Sequence, residues 1–256
     1  MTTPTSKYSD EILRRVDMMG RVTVQELSQI MGVSDQTIRR VSRPLAEHGA
    51  LSKVHGALIS NKSALDPPFL SRMNLNRDAK VAIANEVATL VQDGDSIIID
   101  TGSTSAFIAQ TLRQRRDLRV VTNSAFVAST LAMIPGNKVS MAGTQLRDHD
   151  GASFDRSAFQ VIERAEVDFC VLSASMAHPE KGFLVHEQCE VDMASAMMGR
   201  AARSIMAVDH SKFERVHPRP VLRQPDLKAG DMLVTDRAVS DQFARALEHL
   251  EIRIAR

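Results

Sequence analysis

Gln36, Thr37, Arg39, Arg40 and Arg43 lie within one short stretch, SDQTIRRVSRPLAEHG at 34–49. On a helix at about 100° per residue, Gln36, Arg39, Arg40 and Arg43 gather on one side, with Thr37 at its edge, while Ile38, Val41 and Leu45 fall within roughly 60° of each other opposite. Guanidinium forks pair with guanine edges or phosphates and a glutamine amide pairs with adenine, so such a face has the chemistry to read a duplex. Taken alone, an arginine pair is as well explained by a solvated helix face. A second set of groups lies further on: Asp100-Thr101-Gly102-Ser103-Thr104, Asn123-Ser124, Gly143-Thr144 and Asp209-His210-Ser211-Lys212, each directly after a short apolar run. Glycine and hydroxyls that open a helix leave free amides and the positive end of its dipole for an anion. One such turn is usually a simple cap; several together with a lysine point to a phosphate-bearing ligand.

The first group needs a compact scaffold, and the sequence around it supplies one. Ile12, Leu13, Val16 and Met19 recur at helical spacing and Gly20 stops the run, which predicts a helix over about 9–19. Thr23 followed by Glu26 is a capping box for a second helix that ends near Gly32. Ser34 is the next N-cap, so only Gly32-Val33 separates the second helix from the third, as in a helix-turn-helix. LSKVHGALIS at 51–60 alternates and turns at His55-Gly56, a two-stranded wing that brings Lys53 and His55 toward the same partner. Pro44 cannot donate to the carbonyl of Arg40 and crowds it, at a cost of about 3 kcal/mol inside a helix. It predicts a kink or break near Arg43, beyond the base-reading positions.

The second group needs a sheet. After a Pro67-Pro68 linker at 61–75, a helix with Ala79, Ile83, Val87 and Leu90 on one face leads to short apolar strands at 96–100, 118–122, 138–142, 169–174, 204–208 and 232–235. Helices between most of them, the clearest at about 187–203 and 239–250, predict a mainly parallel α/β sheet covered by helices. The domains expected are therefore 1–60, the linker 61–75, and 76–256, with ligand contacts at the carboxyl ends of the strands.

Composition sets outer limits. The formal net charge is only +1, but residues 1–62 carry nine Lys or Arg against six Asp or Glu, so the basic excess sits with the first group. The two cysteines, Cys170 and Cys189, are too far apart for a CxxC motif and suit a reducing compartment. No apolar run approaches a membrane span and none resembles a signal peptide, so a cytoplasmic protein without membrane contact is expected. His149 between Asp148 and Asp150, and His178 with His186, lack a diagnostic ligand spacing, so no metal and no cofactor are expected. Arg147-Asp148-His149-Asp150-Gly151 either closes over a ligand or forms a surface loop. Met193, Met197 and Met198 suit helix packing or a subunit interface, and Cys170 a core strand.

Residues 21–58 resemble the winged helix-turn-helix of the DeoR family of bacterial transcription regulators: Val24-Gln25-Glu26-Leu27, Gly32-Val33-Ser34, Thr37-Ile38-Arg39-Arg40, Leu45, Gly49 and Val54-His55-Gly56-Ala57 carry the match. Val41-Ser42 replaces the family's Asp-Leu pair, and Pro44 is atypical. The resemblance continues downstream, where DTGST at 100–104 is similar to the family's DSGTT loop, Thr122-Asn123-Ser124 to its TNS, Gly143 to the first residue of its Gly-Gly pair, and Asp209 to Lys212 to its aspartate, serine, lysine run. Thr101, Ser103 and Thr144 depart from it. The resemblance implies a sensor domain with a Rossmann-like fold resembling ribose phosphate isomerases, and an effector that is a phosphorylated sugar or related metabolite. It places Gly102, Ser103, Thr104 and Lys212 at the phosphate, Asp100 and Asn123 nearer the sugar hydroxyls, and Thr101 and Gly143 in the same pocket. It further implies a double-stranded DNA operator contacted by Ser34, Gln36, Thr37, Arg39, Arg40, Arg43, Lys53 and His55, and a homo-oligomer, dimer or tetramer. The rival is an isomerase-like enzyme. Pentose phosphate isomerases carry an acidic DGADE motif after the strand that here ends in Leu172-Ser173-Ala174-Ser175-Met176, which has no carboxylate.

Overall fold

The computed structural model describes residues 7–19, 21–54, 56–60, 68–214 and 222–256. The chain divides into two compact units between Leu75 and Asn76.

The first unit runs α1 (Lys7–Met19), β1 (Arg21–Thr23), α2 (Val24–Met31), α3 (Asp35–Glu47), β2 (Leu51–Val54), β3 (Ala57–Ser60) and α4 (Phe69–Asn74). The Thr23 side chain accepts from the Glu26 amide and Glu26 accepts from the Thr23 amide at 2.7 Å, the reciprocal cap that starts α2. Gly32 ends α2 with a φ of +63°, a left-handed value suited to glycine, and the chain re-enters a helix at Asp35. Ile12, Val16, Leu27, Ile38, Leu45, Leu51 and Leu58 make the core.

One expectation fails here, at Pro44, and two are extended. Strand β1, three residues long, pairs antiparallel with β3 and makes the wing sheet three-stranded, in the order β1-β3-β2. Helix α3 continues through Pro44 to Glu47 instead of breaking at Arg43. Pro44 itself is exposed, so its ring displaces no core, and its own carbonyl accepts from the His48 amide at 2.9 Å, so hydrogen bonding resumes one turn on. The expected linker holds a helical turn, α4, with Phe69 buried; residues 61–67 lie outside the described ones.

The second unit runs α5 (Arg77–Leu90), β4 (Ser96–Ile99), α6 (Ser103–Leu112), β5 (Arg119–Thr122), α7 (Ala125–Ala132), β6 (Lys138–Met141), α8 (Arg156–Ile162), β7 (Val167–Leu172), β8 (Met176–His178) and β9 (Gly182–Val185). It continues with α9 (Gln188–Met198), β10 (Ala201–Ala207), α10 (Ser211–Glu214), β11 (Leu222–Arg223), β12 (Met232–Thr235), a 3-10 turn (Asp241–Phe243), α11 (Ala244–Leu247) and β13 (Glu251–Ile254). Seven strands form a parallel sheet in the order β13-β12-β10-β7-β4-β5-β6; β11, β9 and β8 form a small antiparallel one. Alternation along the strands sends Ile98, Cys170, Leu172, Met206 and Leu233 into one core with Met193 and Met197 of α9, while Ile97, Ile99, Val171, Ile205 and Val234 are equally buried on the other face. The methionines are thus packed within this chain's own core.

The helix expected over 187–203 stops at Met198. Ala201 and Arg203 instead pair with Val167 and Phe169 of β7, so sheet pairing overrides the helical preference of an alanine-rich run. The helix expected over 239–250 is cut to a 3-10 turn and α11, because Glu251–Ile254 is taken into the sheet beside β12.

Strand order reverses at β4: β5 and β6 follow on one side, while β7, β10, β12 and β13 lie on the other. Adjacent crossovers leave in opposite directions there, and in open α/β sheets such a reversal is where ligands bind, outside the carboxyl ends of the strands.

Candidate functional site

In the first unit, the base of α3 is fixed by Ser34, whose Oγ accepts from the Thr37 amide at 3.2 Å and lies 3.0 Å from Thr37 Oγ1. Gln36, Arg39, Arg40 and Arg43 are exposed along the helix, and Thr37 is half-buried. The buried row on the opposite side is Ile38, Ser42 and Leu45; Val41, expected in that row, is only half-buried. Lys53 of β2 approaches this face, its Nζ donating to the Arg39 carbonyl at 3.5 Å. Its pKa is lowered by partial burial and by the charges of Arg43 and Arg39. Three cations gathered closely enough to perturb one of them favour a polyanion. Arg43 also pairs with Glu47 at 3.0 Å, a highly exposed contact of little energetic weight. His55 lies outside the described residues.

In the second unit, β4 runs directly into Asp100, Thr101 and Gly102, and α6 begins at Ser103. Gly102 has a φ of +140°, and a Cβ there would come within 2.6 Å of Ser173 Oγ, which itself donates to the Thr101 carbonyl at 3.2 Å. Only glycine fits so close an approach between the ends of β4 and β7. Gly102 has no side chain to cap α6, whose first residues Ser103, Thr104 and Ser105 are all buried. The amides of that first turn therefore have no side-chain cap, at the positive end of the helix dipole. Thr101 Oγ1 and Ser105 Oγ are buried without a hydrogen-bond partner.

The neighbouring strand ends complete the rim. Asn123 is fully buried after β5; its Nδ2 donates to the Ser153 carbonyl at 3.2 Å and its Oδ1 has no partner. Gly143 follows β6 with a φ of +99°, and a Cβ there would overlap Ser153 Oγ. Asp155 holds this loop, accepting from the amides of Thr144 and Gln145 at 2.8 Å each while capping α8 through the Ala158 amide. Bonds from Ser157, Thr144 and Gln145 hold the Asp155 carboxyl far below the usual range.

The segment 144–155 is a strap. It bridges Ser124 through Ala152, and Arg147 carries it to the start of α9. Arg147 donates to Asp150, lies 3.3 Å from Glu187 and 3.4 Å from Glu190, and stacks its guanidinium 4.1 Å from the Phe154 ring centroid. Burial opposes its charge, but Asp150, Glu190 and Glu187 outweigh it and the pKa is raised. Glu187 and Glu190 also form the capping box of α9.

After β10, Asp209 is buried and accepts from Asn76 Nδ2 at 2.9 Å and Ser211 Oγ at 2.6 Å. Burial raises its pKa, but Ser211 and the charges of Lys212 and Lys80 more than offset this, and the net shift is downward. Both lysines are buried, Lys80 at 3% and Lys212 at 9% exposure. At the far side, Asp100 is pushed up to about 7, first by burial and then by Glu190 and Asp150, against the amides of Thr101 and Ser173.

The comparisons with known proteins follow this division. Residues 9–64 match the family model described as DeoR-like helix-turn-helix domain, and residues 75–237 match the DeoR C terminal sensor domain. The chain belongs to the DeoR family of transcriptional regulators. It is 31% identical over 204 residues to the glycerol-3-phosphate regulon repressor of Escherichia coli K12, covering 80% of this chain and 81% of that one. It is 29% identical over 255 residues to the putative aga operon transcriptional repressor of Escherichia coli O157:H7, covering 98% and 94%. It is 29% identical over 247 residues to the L-fucose operon activator of Haemophilus influenzae, covering 96% and 98%. Among solved structures, ribose 5-phosphate isomerase A of Methanocaldococcus jannaschii matches with a TM-score of 0.38 and 21% identity over 54% of this chain and 55% of that one. The Pyrococcus horikoshii translation initiation factor eIF-2B matches at 0.42 and 14%, over 82% and 81%.

In this DeoR-family chain, Asp100, Thr101, Gly102, Ser103 and Thr104 lie at the switch point, with Asn123 and Gly143 on the next two strand ends. Lys212 lies in α10, which follows β10, a strand two places from β4 in the sheet. Lys80, on α5, was not among the residues singled out from the sequence. Its signal was there: Lys80, Ile83, Ala84 and Val87 follow helical spacing and form the buried row, whereas Ala79 and Leu90 are half-buried. Among the described residues no group of three or more His, Cys, Asp or Glu side chains is arranged to hold a metal, and no helix is long and apolar enough to cross a membrane.

Proposed function

We propose that this regulator represses genes of sugar or polyol catabolism by binding a double-stranded operator through α3, and that a phosphorylated sugar in the β4–β7 crevice releases it. Ser34, Gln36, Thr37, Arg39, Arg40, Arg43, Lys53 and His55 make the DNA contacts. Arg39 and Arg40, exposed one turn after the helix start, suit base edges; Arg43 and Lys53 suit phosphates. Two half-sites require two copies, so the working form is a homo-oligomer, dimer or tetramer, in the cytoplasm.

For the effector, the observation that carries the reading is the buried, uncapped start of α6 at Ser103 and Thr104 together with the buried Lys80 and Lys212. Free amides and the helix dipole at the start of α6, with two buried ammonium groups in the same unit, suit an anion. Thr101, Gly102 and Gly143 shape the floor of this site, and Asp100 and Asn123 face the remainder of the sugar. Occupancy shifts the population between sensor states to the extent that the ligand prefers one of them. A thermal-shift panel tests this: sugar phosphates are expected to raise Tm and the same unphosphorylated sugars to leave it unchanged. A Tm rise with unphosphorylated sugars alone contradicts the phosphate site.

One observation favours a second reading, an isomerase-like activity: Asp100, poised near 7 at the switch point, has the pKa of a general base. Exchange of a sugar-phosphate C–H in D2O separates the readings; none is expected of a sensor.

A further inference from the structure

The parallel sheet of the second unit ends in two unlike edges. At one, β6 exposes Lys138 and Ser140, polar side chains of the kind that keep an edge from pairing. At the other, β13 exposes Ile252 at 42% and Ile254 at 46% on one face. Its other face carries Glu251 and Arg253, with the Arg253 guanidinium held against Glu251 and Glu86 of α5. The amides of Glu251 and Ala255 donate to the carbonyls of Asp231 and Thr235, at the two ends of β12. Backbone groups alternate in direction along a strand, so the amides and carbonyls of Ile252 and Ile254 point away from β12, where no described strand pairs with them. An open ladder and two exposed apolar side chains therefore share one edge.

We propose that β13 pairs with β13 of a second copy, antiparallel about a two-fold axis at Ile252, and that this join is the sensor-unit interface of the homo-oligomer. It rests on the homo-oligomer reading above. A two-fold axis relating two copies of one edge stands perpendicular to the sheet, so the strands run antiparallel and like faces meet. Residues directly opposed then belong to the same face, which restricts the register. Centring on Glu251 opposes two carboxylates and centring on Arg253 opposes two guanidinium groups, both destabilising. Centring on Ile254 sets Arg253 against Ala255 and pairs neither charge with its opposite. Centring on Ile252 sets each Glu251 opposite Arg253 of the second copy. On the other face it brings Ile252 against its counterpart with each Ile254 diagonal to it, so both exposed side chains gain cover. Ile252 and its counterpart also become a hydrogen-bonded pair, as their outward amides and carbonyls require.

Sedimentation velocity and crosslinking on the full chain test the interface. Ile252→Lys places two ammonium groups at the axis, on a residue that the folded chain leaves exposed. It is expected to halve the mass of the parent assembly with the circular dichroism spectrum unchanged. Ile252→Cys is expected to crosslink to its counterpart under mild oxidation, because Cα atoms of a hydrogen-bonded pair lie about 5.5 Å apart, within the span of a disulfide. Ile254→Cys, at a position as exposed, is expected to stay at the parent level, since its counterpart lies four residues out of register, roughly 14 Å away. An oligomeric parent whose mass is unchanged by Ile252→Lys overturns the β13 interface and leaves the homo-oligomer reading standing. So does crosslinking that is absent at Ile252 or equal at Ile252 and Ile254. A parent that sediments as a monomer overturns both.

Discussion

At the scale of single residues, the two sites depend on side chains held in opposite ways. Arg40 is exposed on α3, so its replacement is expected to remove a contact to DNA and little else. Arg40→Ala is expected to weaken specific operator binding by about 1–3 kcal/mol while Tm stays unchanged, read by anisotropy at fixed salt. Asp100 is held by the fold, which makes it a stability reporter. Its carboxyl titrates near 7 in the folded chain and near the ordinary 3.8 when unfolded. Between those values the unfolded state has lost the proton and the folded state keeps it, so this group makes stability fall as pH rises, by up to about 1.4 kcal/mol per pH unit, and has no further effect above about 7. Asp100→Asn is expected to raise Tm at pH 8 more than at pH 5; an equal change at both would remove the raised pKa from the account. The loop glycines and hydroxyls of this site were legible in the sequence because each followed an apolar strand. Lys80 and Asp155 were not. A lysine in a helix reads as surface until its row is seen to be buried, and the grip of Asp155 on Thr144 and Gln145 spans ten residues that only the folded strap brings together.

At the scale of elements, local signals located starts better than ends. Thr23 with Glu26 and Ser34 fixed where α2 and α3 begin, because caps are satisfied within one turn. Where α9 stops and β10 begins depended on pairing with β7 across more than thirty residues, which no local pattern encodes. The short strands β1, β8, β9, β11 and β13 were illegible for the same reason: each owes its conformation to a partner strand. Pro44 was misjudged because the cost of a helical proline was read as a break, whereas α3 continues and accepts the lost bond at an exposed position. Pro44→Ala is therefore expected to stabilise the first unit, by up to about 3 kcal/mol, with operator affinity changed less than threefold. A loss of stability in urea unfolding would mean that Pro44 is required by the helix it occupies.

At the scale of the molecule, the function proposed joins a DNA-reading unit to a sensing unit through effector occupancy, so the coupling must be visible at the DNA. The buried Lys212 belongs to the sensor alone, whereas Arg40 belongs to the reader alone, and substitutions should separate accordingly. The most direct measurement selects a tight-binding duplex from a random pool with the full chain, then follows its affinity by anisotropy while sugar phosphates are added one at a time. At least one phosphorylated sugar is expected to lower duplex affinity tenfold or more, within the range of allosteric coupling free energies of about 1–3 kcal/mol. Lys212→Ala is expected to bind the duplex normally and to lose that response. A duplex affinity indifferent to every sugar phosphate, or a Lys212→Ala protein that responds as the parent does, would contradict the account.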